Sequence, residues 1–415
     1  MIRLIRPAAR FLVALVAIAT TVTCATPASA QPPAVGDTTT MKLQRSARQD
    51  FRVTVVAESL FSPSALAWLP NGDMLVTERP GRLRVMRGGV VDPTPIAGVP
   101  GVFRDQGQGG LLDLALHPDF ARNQLLYLSH GRRRDSDSSG ALAVTRARFD
   151  GNRLVDVREI FTANAWQRRN NHFGGRLAFD DKGFLFITVG DRIYDPNLQA
   201  AHPSQDPRQH FGTVVRLHDD GRVPSDNPFR GRGDTLPEIW SFGHRNPQGI
   251  AVHPATGDVW ETEHGPRGGD ELNLLLPGRN YGWPVVSWGV NYNGTPITAD
   301  SRRAGMESPR FTWVPSIATT GMTFYTGDRF PWWKGNLFVA GLGGEQLARL
   351  TIEDGRVVSS ETLLAGVVGR IRDVRQGPDG FLYLVLEHGF GSPKPSRIVR
   401  LEPVEGEVKG PIGGE

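Results

Sequence analysis

The sequence predicts an all-β protein, a six-bladed β-propeller of four-stranded antiparallel blades. The chain of 415 residues contains no convincing amphipathic helix, and short apolar alternations separated by turn residues dominate it. One pattern recurs: a strand, a turn of the Asp-Gly or Asn-Gly type, and a second strand. Its six copies span residues 65–78, 112–129, 176–191, 249–263, 321–340 and 371–387, with starts roughly 45 to 75 residues apart. Repetition at this period is typical of a radial or solenoid array.

Each repeat unit has room for about four short strands, which is the content of one propeller blade. Closing the ring also hides the sheet edges. A pair of β-sandwiches with coincidental hairpins is the alternative. We assign residues 51–402 to the propeller, between a polar tether at 31–50 and a Gly- and Glu-rich tail at 403–415.

The first 30 residues have the pattern of a secretory signal peptide. Arg3, Arg6 and Arg10 form a basic start, residues 11–19 form an apolar run, and residues 28–30 read Ala-Ser-Ala. The run is too short to span a bilayer comfortably. We therefore expect a periplasmic or secreted protein with no stable membrane insertion after cleavage, and an uncleaved anchor is the alternative.

The composition excludes several classes of protein. With 39% hydrophobic and 22% charged residues the chain is not disordered as a whole, and a single cysteine, Cys24, excludes a disulfide scaffold. Cleavage after Ala30 would remove three Arg and no acid, so that 44 basic residues face 43 acidic ones. Because the basic residues form no run, we expect no nucleic-acid partner.

Polar residues at strand ends are the first site candidates, because the inner strands and loops of a propeller line its axial channel. His172 lies on a Gly-rich loop before the third repeat, where it could act as a general base or bond loop carbonyls. Arg245 and Asn246 precede the fourth repeat. A guanidinium fork there suits a planar carboxylated or quinoid ligand, and salt bridges that hold a turn are the alternative.

The segment 263–284 has the composition of a calcium loop. Gly265 and Pro266 begin an irregular stretch whose backbone carbonyls cannot all pair in a sheet, and Asp270 and Glu271 follow it. Exposed carbonyls and carboxylates are ligands that suit Ca²⁺. A solvated acidic turn is the alternative.

Arg370 and Arg372 open the sixth repeat on one face of a predicted strand. Two cations so placed predict a polyanionic ligand between them, or pairing with Asp373 or another carboxylate. The sequence contains no phosphate-binding loop, zinc motif or Gly-x-Ser-x-Gly nucleophile motif.

Taken together, these segments resemble the glucose/sorbosone dehydrogenase family of soluble sugar dehydrogenases that depend on pyrroloquinoline quinone (PQQ), including the bacterial aldose sugar dehydrogenases. The matching motifs are GQGGLLDLALHPDF (107–120), HFGGRLAF (172–179), FGHRNPQGIA (242–251), EHGPRGGDELNLL with NYGWP (263–284) and RIRDVRQGPDG (370–380). They occur in the family's order, and the resemblance covers nearly all of residues 51–402.

The resemblance implies a role for each matching residue. The implied catalytic residues are the base His172, with Asp191 and Arg245. The implied contacts to the quinone are Gln108, Arg245, Asn246, Arg370 and Arg372. The backbone oxygens of Gly265 and Pro266 would hold a quinone-bound Ca²⁺, and a second, structural calcium region would include Glu271, Asp270 and the backbone of Tyr281.

The resemblance also implies the reaction: an aldose is oxidised at its anomeric carbon to a lactone, and hydride passes to calcium-bound PQQ. An external acceptor (a quinone, a cytochrome or a dye) would then reoxidise the cofactor. A monomer or a dimer is expected. Glucose-specialised members carry a Lys beside the cofactor in a blade-five loop, whereas residues 341–345 here read Gly-Leu-Gly-Gly-Glu, which fits the broader aldose members better.

Two other functions remain open for a six-bladed propeller. One is a calcium-dependent lactonase, which would need a carboxylate-rich metal centre at the axis and no quinone. The other is a non-catalytic propeller that binds carbohydrate or protein. The Arg370/Arg372 pair argues against the lactonase, and His172 argues against the non-catalytic propeller.

Overall fold

The computed structural model describes residues 43–104, 107–389 and 392–408. They form six four-stranded antiparallel sheets arranged as a six-bladed β-propeller, which confirms the predicted fold. The predicted signal peptide, residues 31–42 of the tether and residues 409–415 lie outside the described residues. In the described part of the chain, no helix has the length and apolar character needed to cross a membrane.

The strands follow the chain blade by blade, from the innermost strand outward. Blade 1 contains β2 (Pro63–Trp68), β3 (Met74–Glu78), β4 (Arg82–Arg87) and β5 (Val90–Val91). Blade 2 contains β6 (Leu111–Leu116), β7 (Leu125–Arg134), β8 (Ser139–Phe149) and β9 (Leu154–Thr162). Blade 3 contains β10 (Gly174–Phe179), β11 (Leu185–Val189), β12 (Thr213–Leu217) and β13 (Ile239–Phe242).

The second half of the ring repeats this order. Blade 4 contains β14 (Pro247–Val252), β15 (Val259–Glu263), β16 (Asp270–Leu274) and β17 (Phe311–Trp313). Blade 5 contains β18 (Thr319–Phe324), β19 (Leu337–Gly341), β20 (Gln346–Glu353) and β21 (Arg356–Leu363). Blade 6 contains β22 (Arg370–Gln376), β23 (Leu382–Glu387), β24 (Ser396–Val408) and β1 (Gln49–Leu60). The short helices are α1 (Phe120–Asn123) and three 3₁₀ turns, Pro196–Ala201, Pro203–Gln205 and Pro331–Trp333.

Each predicted repeat is the innermost hairpin of one blade. Residues 65–78 cover β2 and β3, for example, and residues 176–191 cover β10 and β11. In the blade 1 hairpin, Gly72 has a φ of 89° with open space around it, so glycine serves the turn conformation rather than close packing. The first strands of successive blades contact one another around the ring, and β22 returns to β2.

The chain ends close the ring through blade 6. The N-terminal strand β1 pairs antiparallel with the C-terminal strand β24, with Val53 opposite Leu401. Both strands run past the predicted limits of 51 and 402, because β1 begins at Gln49 and β24 continues to Val408. The composition of the predicted tail does not indicate this extension, because a Gly- and Glu-rich segment can still pair through its backbone.

The hydrophobic core is divided among the blade interfaces. Among the described residues six buried clusters occur, one between each pair of neighbouring blades. Between blades 5 and 6, for example, Phe338 and Leu347 pack with Val53 and Leu384. The alternation of apolar residues along the strands therefore stabilises the ring without disulfides.

Candidate active site

One mouth of the axial channel collects the residues predicted from separate segments. His172 precedes β10, Arg245 and Asn246 precede β14, and Arg370 opens β22. Asp191 follows the second strand of blade 3, and the second strand is antiparallel to the first. The starts of first strands and the ends of second strands therefore meet on the same face of the propeller, which we call the site mouth.

The imidazole of His172 is held by a carboxylate. Its Nδ1 lies 2.6 Å from Oδ1 of Asp191, and Trp283 Nε1 donates to the other oxygen of that carboxylate at 2.9 Å. The backbone N–H of His172 donates to Oε1 of Gln108 at 2.7 Å. Because Asp191 engages Nδ1, Nε2 is the ring nitrogen left for a substrate.

Burial sets the protonation of this pair. It lowers the pKa of His172 below its ordinary value, Asp191 opposes this, and Arg245 lowers it further. Burial alone would raise the pKa of Asp191, but the charge of His172 and the hydrogen bond between them lower it overall. A neutral imidazole beside an ionised carboxylate is the state that a general base needs.

Arg245 lies beside this pair and faces backbone oxygens. Its Nη1 donates to the carbonyl oxygens of Gly265 at 2.7 Å and His264 at 3.1 Å. Its guanidinium carbon lies 5.2 Å from the ring centroid of Trp283. These side-chain bonds go to carbonyls, so the alternative of a turn held by Arg245 salt bridges does not describe the contacts seen.

Asn246 and Gln248 form a short amide chain at the start of β14. Oδ1 of Asn246 accepts hydrogen bonds from the backbone N–H of Gly174 at 3.3 Å and from Gln248 Nε2 at 3.2 Å. Gln248 also accepts a hydrogen bond from Arg372 Nη1 at 3.3 Å. These hydrogen bonds connect the Gly-rich loop that follows His172 to the arginines of blade 6.

Arg370 and Arg372 converge on one carboxylate, Glu387. Arg372 makes a two-pronged pair with it, with both N–O distances at 3.0 Å, and Arg370 Nη2 lies 3.3 Å from its Oε1. The predicted partner Asp373 binds Arg375 instead, at 2.8 Å. Asp373 and Arg375 are two residues apart on one face of β22, beyond a register irregularity between Ile371 and Asp373.

Arg79 adds a third guanidinium to this group. Arg79 and Arg372 line the same small cavity with Gln108 and Gln248. Burial lowers the pKa of Arg79 to about 10, and Arg372 contributes. Burial would raise the pKa of Glu387, but the arginines, Arg372 foremost, lower it to about 2. In this guanidinium cluster (Arg79, Arg370, Arg372 and Glu387), the described residues set Arg370 and Arg372 against one carboxylate, with Arg79 beside them.

A second charged group lies in blade 4, on strands β15 and β16. Three carboxylates, those of Glu261, Glu263 and Glu271, surround Asn273, whose Nδ2 lies 3.2 to 3.3 Å from an oxygen of each. His244 Nδ1 lies 3.0 Å from Glu263 and 3.8 Å from Glu261. We call Glu261, Glu263 and Glu271 the carboxylate cluster.

With all three acids ionised, the carboxylate cluster would carry more negative charge than its described surroundings offset. Burial raises the pKa of Glu261 and of Glu271 well above the ordinary value, and the charge of Glu263 raises both further. Oε1 of Glu261 is buried with no hydrogen-bond partner among the described residues. Buried carboxylates in this state are suited to a cation.

Most of the predicted metal ligands line one small cavity next to this cluster. Its walls include Gly265, Pro266, Glu271 and Tyr281. A Cβ on Gly265 would lie 2.3 Å from backbone atoms of Gly268 and Gly269, so the tight loop there requires glycine. The ring of Tyr281 stacks on His244 at 4.6 Å.

The carboxylate of Asp270 is held by hydrogen bonds from its own loop and from the segment before β18. Its carboxylate accepts from the backbone N–H groups of Gly265 at 2.9 Å and Ile317 at 2.9 Å, and from Ser316 Oγ at 2.7 Å. Both oxygens therefore brace the backbone around them, and a role of Asp270 as a metal ligand stays a prediction. An acidic pair in sequence cannot reveal which member bends back onto its own loop.

The channel is crossed below the site mouth by a buried ion ring of Asp113, Arg176, Asp373 and Arg375. Arg375 bonds to Asp113 at 2.9 Å and to Asp373 at 2.8 Å. Arg176 Nη1 lies 3.4 Å from Asp373 and 3.6 Å from Asp113. All four residues are on first strands, so the ring lies at the axis.

Several residues of the site were not predicted from the sequence. They are Arg79, Gln248, Trp283 and Glu387 at the site mouth, and Glu261, Glu263, Asn273 and His244 at the carboxylate cluster. A signal was present for two of them, since Glu261 and Glu263 alternate along β15 and project from the same face of a buried strand. Arg79 and Glu387 carry no comparable signal, because contacts with residues of other chain segments define their roles.

The chain is similar to known proteins along most of its length. The profile of the glucose/sorbosone dehydrogenase family matches residues 60–395. This chain belongs to that family. Its relatives include an aldose sugar dehydrogenase of Escherichia coli, 42% identical over 343 residues that cover 82% of this chain and 91% of the relative.

Solved structures of family members share the fold over most of both chains. The crystal structure of the soluble E. coli aldose sugar dehydrogenase in its apo form gives a TM-score of 0.79 at 40% identity, covering 85% of this chain and all of that one. The PQQ-bound aldose sugar dehydrogenase of Streptomyces coelicolor gives a TM-score of 0.69 at 29% identity, covering 85% and 98%.

Proposed function

We propose that this protein is a PQQ-dependent aldose dehydrogenase that oxidises the anomeric carbon of an aldose to a lactone. The observation that carries the proposal is the placement of the His172–Asp191 pair at the same channel mouth as the guanidinium cluster. The relatives named above support the substrate class and the cofactor. The leader-like first 30 residues support a periplasmic or secreted location.

The chemistry of the guanidinium cluster fits a flat tricarboxylate. Among the described residues Arg370 and Arg372 share the single carboxylate of Glu387, which leaves positive charge at the site mouth. The buried Nε of Arg370 has no hydrogen-bond partner in the described part of the chain, so a donor there is still available. Anionic groups bound by arginine forks are favoured in such a setting.

The backbone and carboxylate oxygens near blade 4 are ligands that suit calcium. The carbonyl of Gly265 already accepts a cationic N–H from Arg245 at 2.7 Å, so it faces positive charge. We propose that Gly265 and Pro266 hold the cofactor's calcium through their backbone oxygens. For a structural calcium we propose Glu271 and the backbone of Tyr281, with the orphaned oxygen of Glu261 nearby.

The chain's own residues supply acid–base chemistry and placement. His172 takes the hydroxyl proton of the sugar at Nε2, and Asp191 keeps the imidazole oriented and stabilises the charge that forms. Arg245 adds positive charge beside the oxygen that loses the proton. When bound together with calcium, PQQ would supply a two-electron acceptor for the hydride of the anomeric carbon, and an external acceptor (a quinone, a cytochrome or a dye) would take up the electrons.

Reconstitution tests the proposal. Purified protein free of quinone is mixed with PQQ, with Ca²⁺, or with both, and the reduction of a dye by several aldoses is followed. We expect reduction only when PQQ and Ca²⁺ are both present. Lactone hydrolysis without quinone would instead establish the calcium-dependent lactonase, and the absence of both activities would favour the non-catalytic propeller.

Replacing the base separates chemistry from binding. In His172→Ala, we expect turnover to fall by about 10²-fold or more, the usual contribution of a general base, while PQQ still binds. The matched control is His210→Ala, which removes another buried imidazole of blade 3, paired with Glu238 at 3.0 Å, and should retain turnover. Equal losses of PQQ affinity and turnover in His172→Ala would contradict the assigned role.

A further inference from the structure

Arg192 follows Asp191 directly and is a fully buried cation. Its guanidinium carbon lies 3.5 Å from the ring centroid of Phe173, the neighbour of His172 in sequence. Burial lowers the pKa of Arg192 to about 9, and Asp191 opposes this. Placing a guanidinium in such a position is costly unless its hydrogen bonds are well satisfied.

The hydrogen bonds of Arg192 are directed at the loop that carries His172. Nη1 donates to the carbonyl of Asn171 at 2.6 Å, and Nη2 donates to the carbonyls of Arg169 at 2.8 Å and Gly140 at 3.1 Å. Two of these acceptors belong to the loop, and Gly140 belongs to β8 in blade 2. Arg192 therefore fastens the loop to the neighbouring blade.

The backbone at this point is in an unusual conformation. His172 has a φ of 49°, and Arg192 and Ile193 have φ values of 57° and 56°. Side chains with a Cβ rarely adopt this left-handed region, and they keep it only where surrounding contacts hold it. The backbone N–H of Arg192 also donates to the carbonyl of His172 at 3.3 Å.

We propose that Arg192 is a positioning residue for His172. Its planar fork and its stacking on Phe173 hold residues 169–173 so that the imidazole stays against Asp191 and presents Nε2 to the substrate. The inference rests on the proposed function for the part that concerns turnover. The loop-fastening part concerns the quinone-free protein alone.

The test compares Arg192→Met with Arg216→Met. Arg216 is the matched control, since it is also buried in blade 3 and stacks on Phe184 at 3.8 Å, but it pairs with Asp226 away from the site mouth. In the quinone-free protein, we expect Arg192→Met to speed amide hydrogen exchange of residues 168–175 by about tenfold or more. Arg216→Met should leave exchange of that peptide unchanged.

The loaded enzyme supplies the second readout. We expect Arg192→Met to bind PQQ as the wild type does, yet to reduce it about 10²-fold more slowly at saturating aldose, because a displaced base loses its alignment. Arg192→Lys should give intermediate exchange and turnover, since one ammonium cannot reproduce the fork. This second variant also decides the matter if Arg192→Met does not fold.

Three results would overturn the proposal. They are unchanged exchange of residues 168–175 in Arg192→Met, parallel losses of PQQ affinity and turnover, or an Arg192→Lys variant indistinguishable from the wild type in both readouts. If the wild type itself neither binds PQQ nor oxidises aldoses, the proposed function fails, and the exchange measurement still decides whether Arg192 fastens the loop.

Discussion

The ion ring and the site mouth are both rich in buried charge, but only the ring is balanced. In the ring, Arg176 and Arg375 face Asp113 and Asp373, and the distances between them are 2.8 to 3.6 Å. The charges of this set cancel, so it needs no ligand of either sign, although Arg176 Nη1 and Asp373 Oδ1 make an ion pair without a hydrogen bond among the described residues. It also supports the layer above, because Arg176 Nη2 donates to the backbone carbonyl of Arg372 at 2.8 Å.

The two charged clusters above and beside the ring are each out of balance, with opposite signs. Among the described residues, Arg370 and Arg372 share the one carboxylate of Glu387, and the carboxylate cluster has three acids with His244 and Asn273 as partners. The difference indicates that balanced buried charge serves the fold, whereas unbalanced buried charge marks a place for a ligand of the opposite sign. Removing one charge should therefore lower the free energy of unfolding in the ring, and it should leave that free energy unchanged or raise it in the two clusters.

The largest effect is expected in the ring. Asp373→Asn removes one charge of a balanced set in which Asp113, Arg176 and Asp373 are buried, and we expect a loss of about 3 kcal/mol in the free energy of unfolding. Gly321 packs closely against this carboxylate, because a Cβ added at Gly321 would lie 1.8 Å from Asp373 Oδ1. Denaturant unfolding measures the free energy of unfolding, and Asp226→Asn, which replaces an exposed acid, is the control. Equal stability of the two variants would contradict the comparison.

The next largest effect concerns the guanidinium cluster. Arg370→Met removes a cation from an excess, so we expect unchanged stability but PQQ affinity weaker by about tenfold or more, the usual size for a hydrogen bond to a charged group. Calorimetric titration measures the affinity. Arg397→Met, which removes an exposed arginine paired with Glu58, is the control. A drop in stability without a change in PQQ affinity would show that Arg370 serves the fold, as the residues of the ring do, and would contradict its role in binding.

A smaller effect is expected in the carboxylate cluster. Glu261→Gln relieves repulsion with Glu263 and Glu271, so stability without calcium should stay the same or rise by up to about 1 kcal/mol. The increase in melting temperature on adding Ca²⁺ should shrink. The variant Glu58→Gln, at an exposed acid, serves as control. A calcium response equal to that of the wild type would show that Glu261 does not take part in binding the ion.

The smallest effect is a displacement of a pH profile. Because burial lowers the pKa of His172, the base stays neutral to lower pH, and the acid limb of kcat/KM should lie below the ordinary value of 6.5. Asp191 raises that pKa and Arg245 and Arg192 lower it. Asp191→Asn should therefore move the limb further toward acid while reducing the rate. A limb above pH 6.5 in the wild type would contradict this assignment.

The fold was predictable because it rests on a repeated local pattern. Each hairpin carries its own alternation and turn, so counting six of them was enough to predict six blades. The candidate site was predictable only through the family's motifs, since His172, Arg245 and Arg370 are far apart in sequence. Pairings such as Arg372 with Glu387, and the retention of Asp270 by its own loop, depend on strand irregularities and backbone donors that sequence spacing does not encode.

The central claim is that the site mouth binds PQQ together with calcium. Titrating the quinone-free protein with PQQ in a calorimeter, once in Ca²⁺ and once in a chelator, tests it most directly. The account predicts saturable one-to-one binding in Ca²⁺ that weakens clearly when the ion is removed. No measurable binding in either condition would contradict it.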